Sequence, residues 1–345
     1  MPLDCAQMSS ALRAVSDDSI SFQYTDSGPV PQTDYTTLVT IHGHTFHGAI
    51  FQRLLPLASA NAIRLVNVNR REYPGSTPYT AEELKTITTG SEVERADFLR
   101  KQGVLFALFV DGLIQKLDLP EKGGVAIAGW SLGNIFAIAF ATSINDVPDD
   151  TKVRLKSYVK TLILWDPPSQ AFGIPEPPGS YLPLWAPELP VEVRGAVFGK
   201  WCASYFKHGN LASRDFSELN QRDADPLRPA TIETMTQEEL FSVADFAPGP
   251  KCETILADST FESVLAAQRV KLLFESTVQK EWGGVKIWHL YGDANCWNVI
   301  YSAWAIEEKD KSSSIHTKII EGANHFLMWE SPEEAIKVLR ECIRS

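Results

Sequence analysis

The chain has 345 residues, with 32 basic and 43 acidic side chains and a net charge of −11. That length exceeds one small domain and allows a large core, while the acidic balance, with no Lys/Arg-rich run, argues against a nucleic-acid or anionic-membrane surface and for small-molecule partners. Five scattered cysteines, Cys5, Cys202, Cys252, Cys296 and Cys342, fit reduced thiols better than a disulfide framework, and the Met1–Gln7 stretch lacks the basic and apolar regions of a secretory signal, so a cytoplasmic location is expected.

In chain order, Thr36–Ile41 is a run of β-branched and apolar residues that predicts a buried strand, ending in His42-Gly43-His44-Thr45, where the glycine permits a tight turn. After a helical stretch a second strand is predicted over Ile63–Val68, and an amphipathic helix around Glu92–Leu117. The apolar Gly124–Ala128 then runs into Gly129-Trp130-Ser131-Leu132-Gly133 and a helix-compatible Asn134–Thr142. A hydropathy scan could take Gly123–Ile144 for a membrane span, but Gly129, Ser131, Gly133 and Asn134 sit in its middle, so it reads as strand, turn and buried helix.

A strand over Lys160–Trp165 precedes a proline-rich segment, from Asp166-Pro167-Pro168 through Pro190, and helical stretches to about Gly283. Roughly 115 residues are too many for an ordinary connection and must carry their own structure, which predicts a helical cap. Sheet periodicity returns at Val285–Gly292 and Lys318–Ile320, the Lys311-Ser312-Ser313-Ser314 run between them reads as a surface loop, and His325 follows in the last loop. The alternation predicts an α/β fold with a mostly parallel sheet flanked by helices.

Gly-x-Ser-x-Gly between strand and helix is the pattern of a nucleophile elbow. The turn holds its central residue in strained backbone, so the flanking positions must be nearly free of side chain. Ser131 would stand exposed above the sheet, and the Leu132 amide at the helix start would face an oxyanion. A serine hydroxyl needs a base to take its proton, and His325 has the side chain and the loop position for it.

Asp26-Ser27-Gly28, His42-Gly43, Arg71-x-Tyr73-x-Gly75-Ser76, the elbow at Ser131, and Gly322-Ala323-Asn324-His325-Phe326 followed by Glu330-Ser331-Pro332-Glu333 together resemble the α/β-hydrolase superfamily, in the form of a capped, esterase- or lactonase-like member with a serine nucleophile. The resemblance implies an α/β-hydrolase core over 1–168 and 284–345, with a mainly helical cap, 169–283, inserted after the sixth strand. It also implies a catalytic triad of Ser131, His325 and an acid. In many relatives that acid lies three residues beyond the glycine ending the next-to-last strand, but here Gly292 is followed there by Asn295. Asp166, after the preceding strand and stiffened by Pro167-Pro168, is therefore preferred, with Asp293 as the alternative. The oxyanion hole would combine the Leu132 amide with that of His44, or else Thr45. Epoxide hydrolases and haloalkane dehalogenases of this fold place an aspartate where Ser131 stands, which disfavours them.

His42-Gly43-His44-Thr45-Phe46-His47 has the histidine spacing of a zinc motif, yet Phe46 occupies the place that motif gives to an aspartate, so no metal and no cofactor are expected. The cap supplies Tyr181, Leu182, Trp185, Phe198, Trp201, Tyr205 and Phe206, and the late loops Trp297, Met328 and Trp329. Trp130, Trp185, Trp201 and Tyr205 are the candidates for substrate contact, in a pocket suited to a medium-sized hydrophobic ester, lactone or thioester. The expected protein is a monomeric or homodimeric serine hydrolase acting on such a small molecule through an acyl-enzyme. The same serine and histidine could serve a lyase or an acyltransferase, or be retained in a ligand-binding protein with little turnover.

Overall fold

The computed structural model describes residues 8–13, 20–310 and 314–345. The N-terminal stretch, Cys5 and the Lys311-Ser312-Ser313 part of the serine-rich run lie outside them. Eight strands form one sheet in the order β1-β2-β4-β3-β5-β6-β7-β8: β1 Met8–Arg13, β2 Ser21–Asp26, β3 Thr36–Ile41, β4 Ile63–Val68, β5 Val125–Trp130, β6 Val159–Trp165, β7 Lys286–Gly292 and β8 Ile315–Ile320. From β4 to β8 all neighbours are parallel, whereas β2 is antiparallel to both β1 and β4.

Burial explains which strands are easy to read. Every residue of β4 and β5 is buried, as expected where helices cover both faces of a parallel sheet. In β2 only alternate residues, Phe22, Tyr24 and Asp26, are buried. One face of the sheet packs against helices Glu92–Lys116 and Gly133–Thr142, the other against Trp297–Lys309 and Pro332–Arg344. The helix Glu92–Lys116 starts at a capping box in which Ser91 accepts from the Glu94 amide and Glu94 accepts from the Ser91 amide. No helix among the described residues is long and apolar enough to cross a membrane.

The segment between β6 and β7 divides by packing. Its first part, including Leu182, Trp201, Phe206 and Val243, joins the apolar cluster around Trp130 and Phe326, above the C-terminal ends of the strands. Its second part, including Cys252, Phe261 and the helix Glu262–Leu273, joins the cluster built on Gly133–Thr142, as do Ala171, Phe172 and Ile174 directly after β6. Backbone hydrogen bonds tie the first part to two core loops: Asp245 N–H donates to Thr45 (2.8 Å) and His47 N–H to Val243 (2.9 Å) in the loop after β3, and Phe206 N–H donates to Ala294 (2.9 Å) in the loop after β7. Asn324 Nδ2 completes the set, donating to the Ala203 carbonyl at 3.0 Å and to Thr231 Oγ1 at 2.9 Å.

Candidate active site

The turn after β5 places Ser131 at φ 53°, in the left-handed region that costs a non-glycine residue roughly 1–3 kcal/mol. Its surroundings leave no room for larger neighbours. A Cβ on Gly43 would lie 2.6 Å from Ser131 Cβ, one on Gly129 would lie 2.8 Å from Ala137 Cβ, and one on Gly133 would lie 2.2 Å from the Ile41 carbonyl oxygen. The end of β3, the elbow and the following helix are thus pressed together at the three glycines. Ser131 N–H donates to the Trp165 carbonyl (2.9 Å), and Asn134 Nδ2 donates to the carbonyls of both Ser131 (2.7 Å) and Trp165 (3.0 Å). The serine is half-buried, at the mouth of an internal space rather than on the surface.

His325 comes from the loop after β8. The Trp130 ring lies 4.9 Å from its ring, and Trp130 Nε1 donates to its carbonyl at 3.0 Å. Its Nδ1 faces Asp166 Oδ2 at 3.5 Å, with both side chains almost fully buried. That separation is longer than a tight hydrogen bond, and catalytic contacts of this kind commonly shorten only when substrate is bound. Asp166 is itself at φ 45°, held by its N–H donating to Leu290 (2.7 Å) and by Oδ1 accepting from Gly292 N–H (3.1 Å). Burial pushes its carboxyl up from the ordinary range, and His325, the Gly292 amide and Asn295 act against that rise. Asp293 has a different job: its Oδ1 accepts from Gly322 N–H at 2.6 Å, fastening the turn after β8.

Leu132 and His44 line the same space, and their backbone amides make no hydrogen bond to protein groups among the described residues, whereas Thr45 N–H already donates to Tyr73 Oη at 3.0 Å. The loop carrying His44 is fixed from below by Arg70. Its Nε donates to the His42 carbonyl (2.9 Å), its Nη2 to that of Gly43 (2.8 Å), and the guanidinium pairs with Glu253 from the inserted segment, both side chains being fully buried. His42 Nε2 accepts from Arg70 N–H (3.0 Å), so its Nδ1 carries the proton and donates to Gly43 (2.9 Å). His47 caps a helical turn, accepting from Ala49 N–H, and His44 bonds the hydroxyls of Thr45 and Thr254. Among the described residues, no group of three His, Cys, Asp or Glu side chains is arranged to hold a metal ion.

Ser131, His325, Leu132 and His44 line one narrow cavity of about 40 Å³. Of the aromatic candidates, Trp185 and Trp201 are in its wall. Trp130 is instead beneath His325, and Tyr205 lies against Arg228, whose guanidinium carbon is 3.4 Å from the ring centre. Leu182, Leu184, Phe198, Cys202, Cys296 and Val299 make the rest of the wall mainly apolar, and Gln170 and Asn298 add two amides that no sequence motif marks. A second, outer chamber of about 280 Å³ shares Gln170, Trp185 and Ala257 with the first. Cys202, Cys252, Cys296 and Cys342 are all buried and free, and burial raises their thiols, that of Cys342 to about 12.

Burial also lowers His44 to about 4 and His289, whose ring nitrogens have no partner, to about 3. Both are below the unfolded value near 6.5, so on acidification the unfolded chain binds protons first. Their stabilising contribution is complete above pH 6.5 and is lost as pH falls toward 4, by about 2 kcal/mol for each at pH 5. Asp166 works in the opposite sense, because protonation relieves the cost of burying its charge. The urea midpoint should therefore drop between pH 7.5 and pH 5, and His289→Leu should flatten that dependence. An unchanged slope in the variant would show that His289 is not protonation-linked to folding.

A model of the α/β-hydrolase family matches residues 38–338. No curated protein sequence matches the chain. Solved structures align over nearly all of it: a thioesterase domain from the curacin biosynthetic pathway (17% identity, 98% of this chain and 99% of that one, TM-score 0.51) and potato (Solanum tuberosum) epoxide hydrolase I (15%, 98% and 99%, TM-score 0.50). A bromoperoxidase from Bacillus anthracis aligns similarly (14%, 98% and 100%, TM-score 0.50). At these identities the structures speak for the fold alone, and the match of the family model over most of the sequence, together with the elbow geometry, decides the assignment: the chain belongs to the α/β-hydrolase family.

Proposed function

We propose that the protein is a serine hydrolase that cleaves the carboxylic ester or lactone of a medium-sized hydrophobic molecule through an acyl-enzyme. The observation that carries this reading is the cavity in which Ser131, strained at φ 53°, and His325, backed by Asp166 at 3.5 Å, meet an apolar wall. His325 Nε2 takes the proton of Ser131 Oγ as the oxygen bonds to the substrate carbonyl carbon. The resulting oxyanion is received by the Leu132 and His44 amides. Collapse breaks the carbon–oxygen bond of the leaving alcohol, which takes the proton back from His325. Water then gives a proton to His325, adds to the acyl carbon and releases the acid, and Ser131 regains its hydrogen. Asp166 holds the imidazole in the tautomer this needs and stabilises the imidazolium. The 169–283 insertion serves as the cap, supplying Trp185 and Trp201 to the wall that excludes water from the acyl group.

Mass spectrometry after treatment with a fluorophosphonate probe tests the reading. The expected result is a single adduct on the Ser131 peptide, absent from Ser131→Ala, together with hydrolysis of aryl esters when water is the only acceptor. Labelling with turnover that requires a second acceptor would place the protein among acyltransferases. A folded protein that neither labels nor turns over would sink the hydrolase reading.

A further inference from the structure

A side-chain amide in a cavity wall can present either its oxygen or its NH₂, and its neighbours decide which. At Gln170 and Asn298 the choice is made from outside the cavity. Glu176, in the outer chamber, has a carboxylate that can only accept, and it accepts from Gln170 Nε2 through one oxygen and from Ser180 Oγ through the other at 3.0 Å. Gln170 Oε1 is thereby turned toward Asn298 and accepts from Asn298 Nδ2 at 2.8 Å. Asn298 Oδ1 is the end of this chain. It is buried without a protein partner, on a residue only 4% exposed, in a wall otherwise made mainly of aliphatic and aromatic side chains. A desolvated carbonyl oxygen in such surroundings is costly until a donor meets it.

We propose that Asn298 Oδ1, oriented by Gln170 and Glu176, accepts a hydrogen bond from the substrate. The molecule this cavity takes therefore carries a hydroxyl or N–H on its apolar body and is not a plain hydrocarbon ester. The donor follows from the cavity wall, and only its attachment to an ester rests on the hydrolase reading of Ser131. A site built around a buried acceptor discriminates strongly against an analogue that lacks the donor, because the acceptor then stays unpaired.

Binding and turnover are measured separately to keep the two claims apart. Intrinsic tryptophan fluorescence, with Trp185 and Trp201 in the wall, gives Kd for 4-phenylbutanol and for its methyl ether, in the wild type and in Asn298→Leu. The alcohol should bind roughly tenfold or more tighter to the wild type, and the ratio should fall to near one in the variant. Equal Kd values in the wild type, or a preference unchanged in folded Asn298→Leu, would overturn the inference. The wild-type comparison decides by itself if the variant does not fold. The same ratio is then read from kcat/KM for 4-nitrophenyl 6-hydroxyhexanoate against the hexanoate. Loss of turnover with the binding preference intact would remove the hydrolase reading and leave the acceptor role standing. Turnover of both esters with neither binding nor kcat/KM favouring the hydroxyl would do the reverse.

Discussion

Ser131→Ala is expected to lower kcat for a hydrolysed ester by a factor on the order of 10⁶, and Asp166→Asn by about 10⁴, while Asp293→Asn stays within a few-fold of the wild type. The serine variant removes the atom that would carry the acyl group, leaving only the proposed oxyanion amides and binding to act. The Asp166 variant is more informative because it preserves shape. The introduced amide could still accept from Gly292 N–H through its oxygen, but its NH₂ would then face His325 Nδ1 and donate to it. That forces the imidazole proton onto Nε2, and a base whose lone pair faces the wrong partner cannot take the serine proton. Asp293 is spent on Gly322 N–H, so its removal loosens a turn and leaves the imidazole untouched. Initial rates of the three purified variants on one aryl ester are sufficient. A large loss in Asp293→Asn with activity retained in Asp166→Asn would reverse the assignment of the acid.

Removing one partner of the Arg70–Glu253 pair is expected to cost about 3–5 kcal/mol of stability, because the other charge is left without solvent or counter-ion. The pair has no exposed surface, and Tyr73 Oη also donates to Glu253 at 3.3 Å. Urea unfolding of Glu253→Ala should show this loss, whereas Arg70→Met with Glu253→Leu should recover much of it, since an apolar pair of similar volume carries no desolvation cost. The double variant should nevertheless remain less active than the wild type. Arg70 binds the carbonyls of His42 and Gly43, one residue before the His44 amide, and a methionine cannot hold them. A Glu253→Ala loss below about 1 kcal/mol would mean that water reaches the pair on demand.

Much of this arrangement was legible in the sequence where local chemistry is uncompromising. Thr36–Ile41 and Ile63–Val68 were readable to the residue because both faces of those strands are largely buried, so β-branched and aliphatic side chains dominate them, with the polar Thr37, Thr40, Arg64 and Asn67 also buried. β2 gave a weaker signal, since half of its six residues face outward. Ser131 and His325 were conspicuous through glycine spacing and loop context, and the departure at Asn295 directed attention to Asp166, the carboxylate that faces His325 in the structure. The switch from sheet to helix after Asp166 was also plain in the composition. What the sequence hides is pairing across long separations. Arg70 and Glu253 are 183 residues apart, Gln170 and Asn298 are 128 apart, and neither pair belongs to a motif. Aromatic residues in the insertion were similarly undetermined: Trp201 and Tyr205 are one helical turn apart in sequence, yet only Trp201 reaches the cavity.

The hydrogen bonds from the inserted segment to the Thr45, Ala294 and Asn324 loops also bear on traffic. A lid that swung away would have to surrender hydrogen bonds at all three loops at once, main-chain ones at two of them, and expose the apolar cluster shared with Trp130 and Phe326. Passage through the outer chamber asks for much less, because that chamber and the serine cavity already share Gln170, Trp185 and Ala257 as common walls. Molecules would then enter and leave by rotamer changes at a narrow neck, and the size of what can pass is set there, before any chemistry begins.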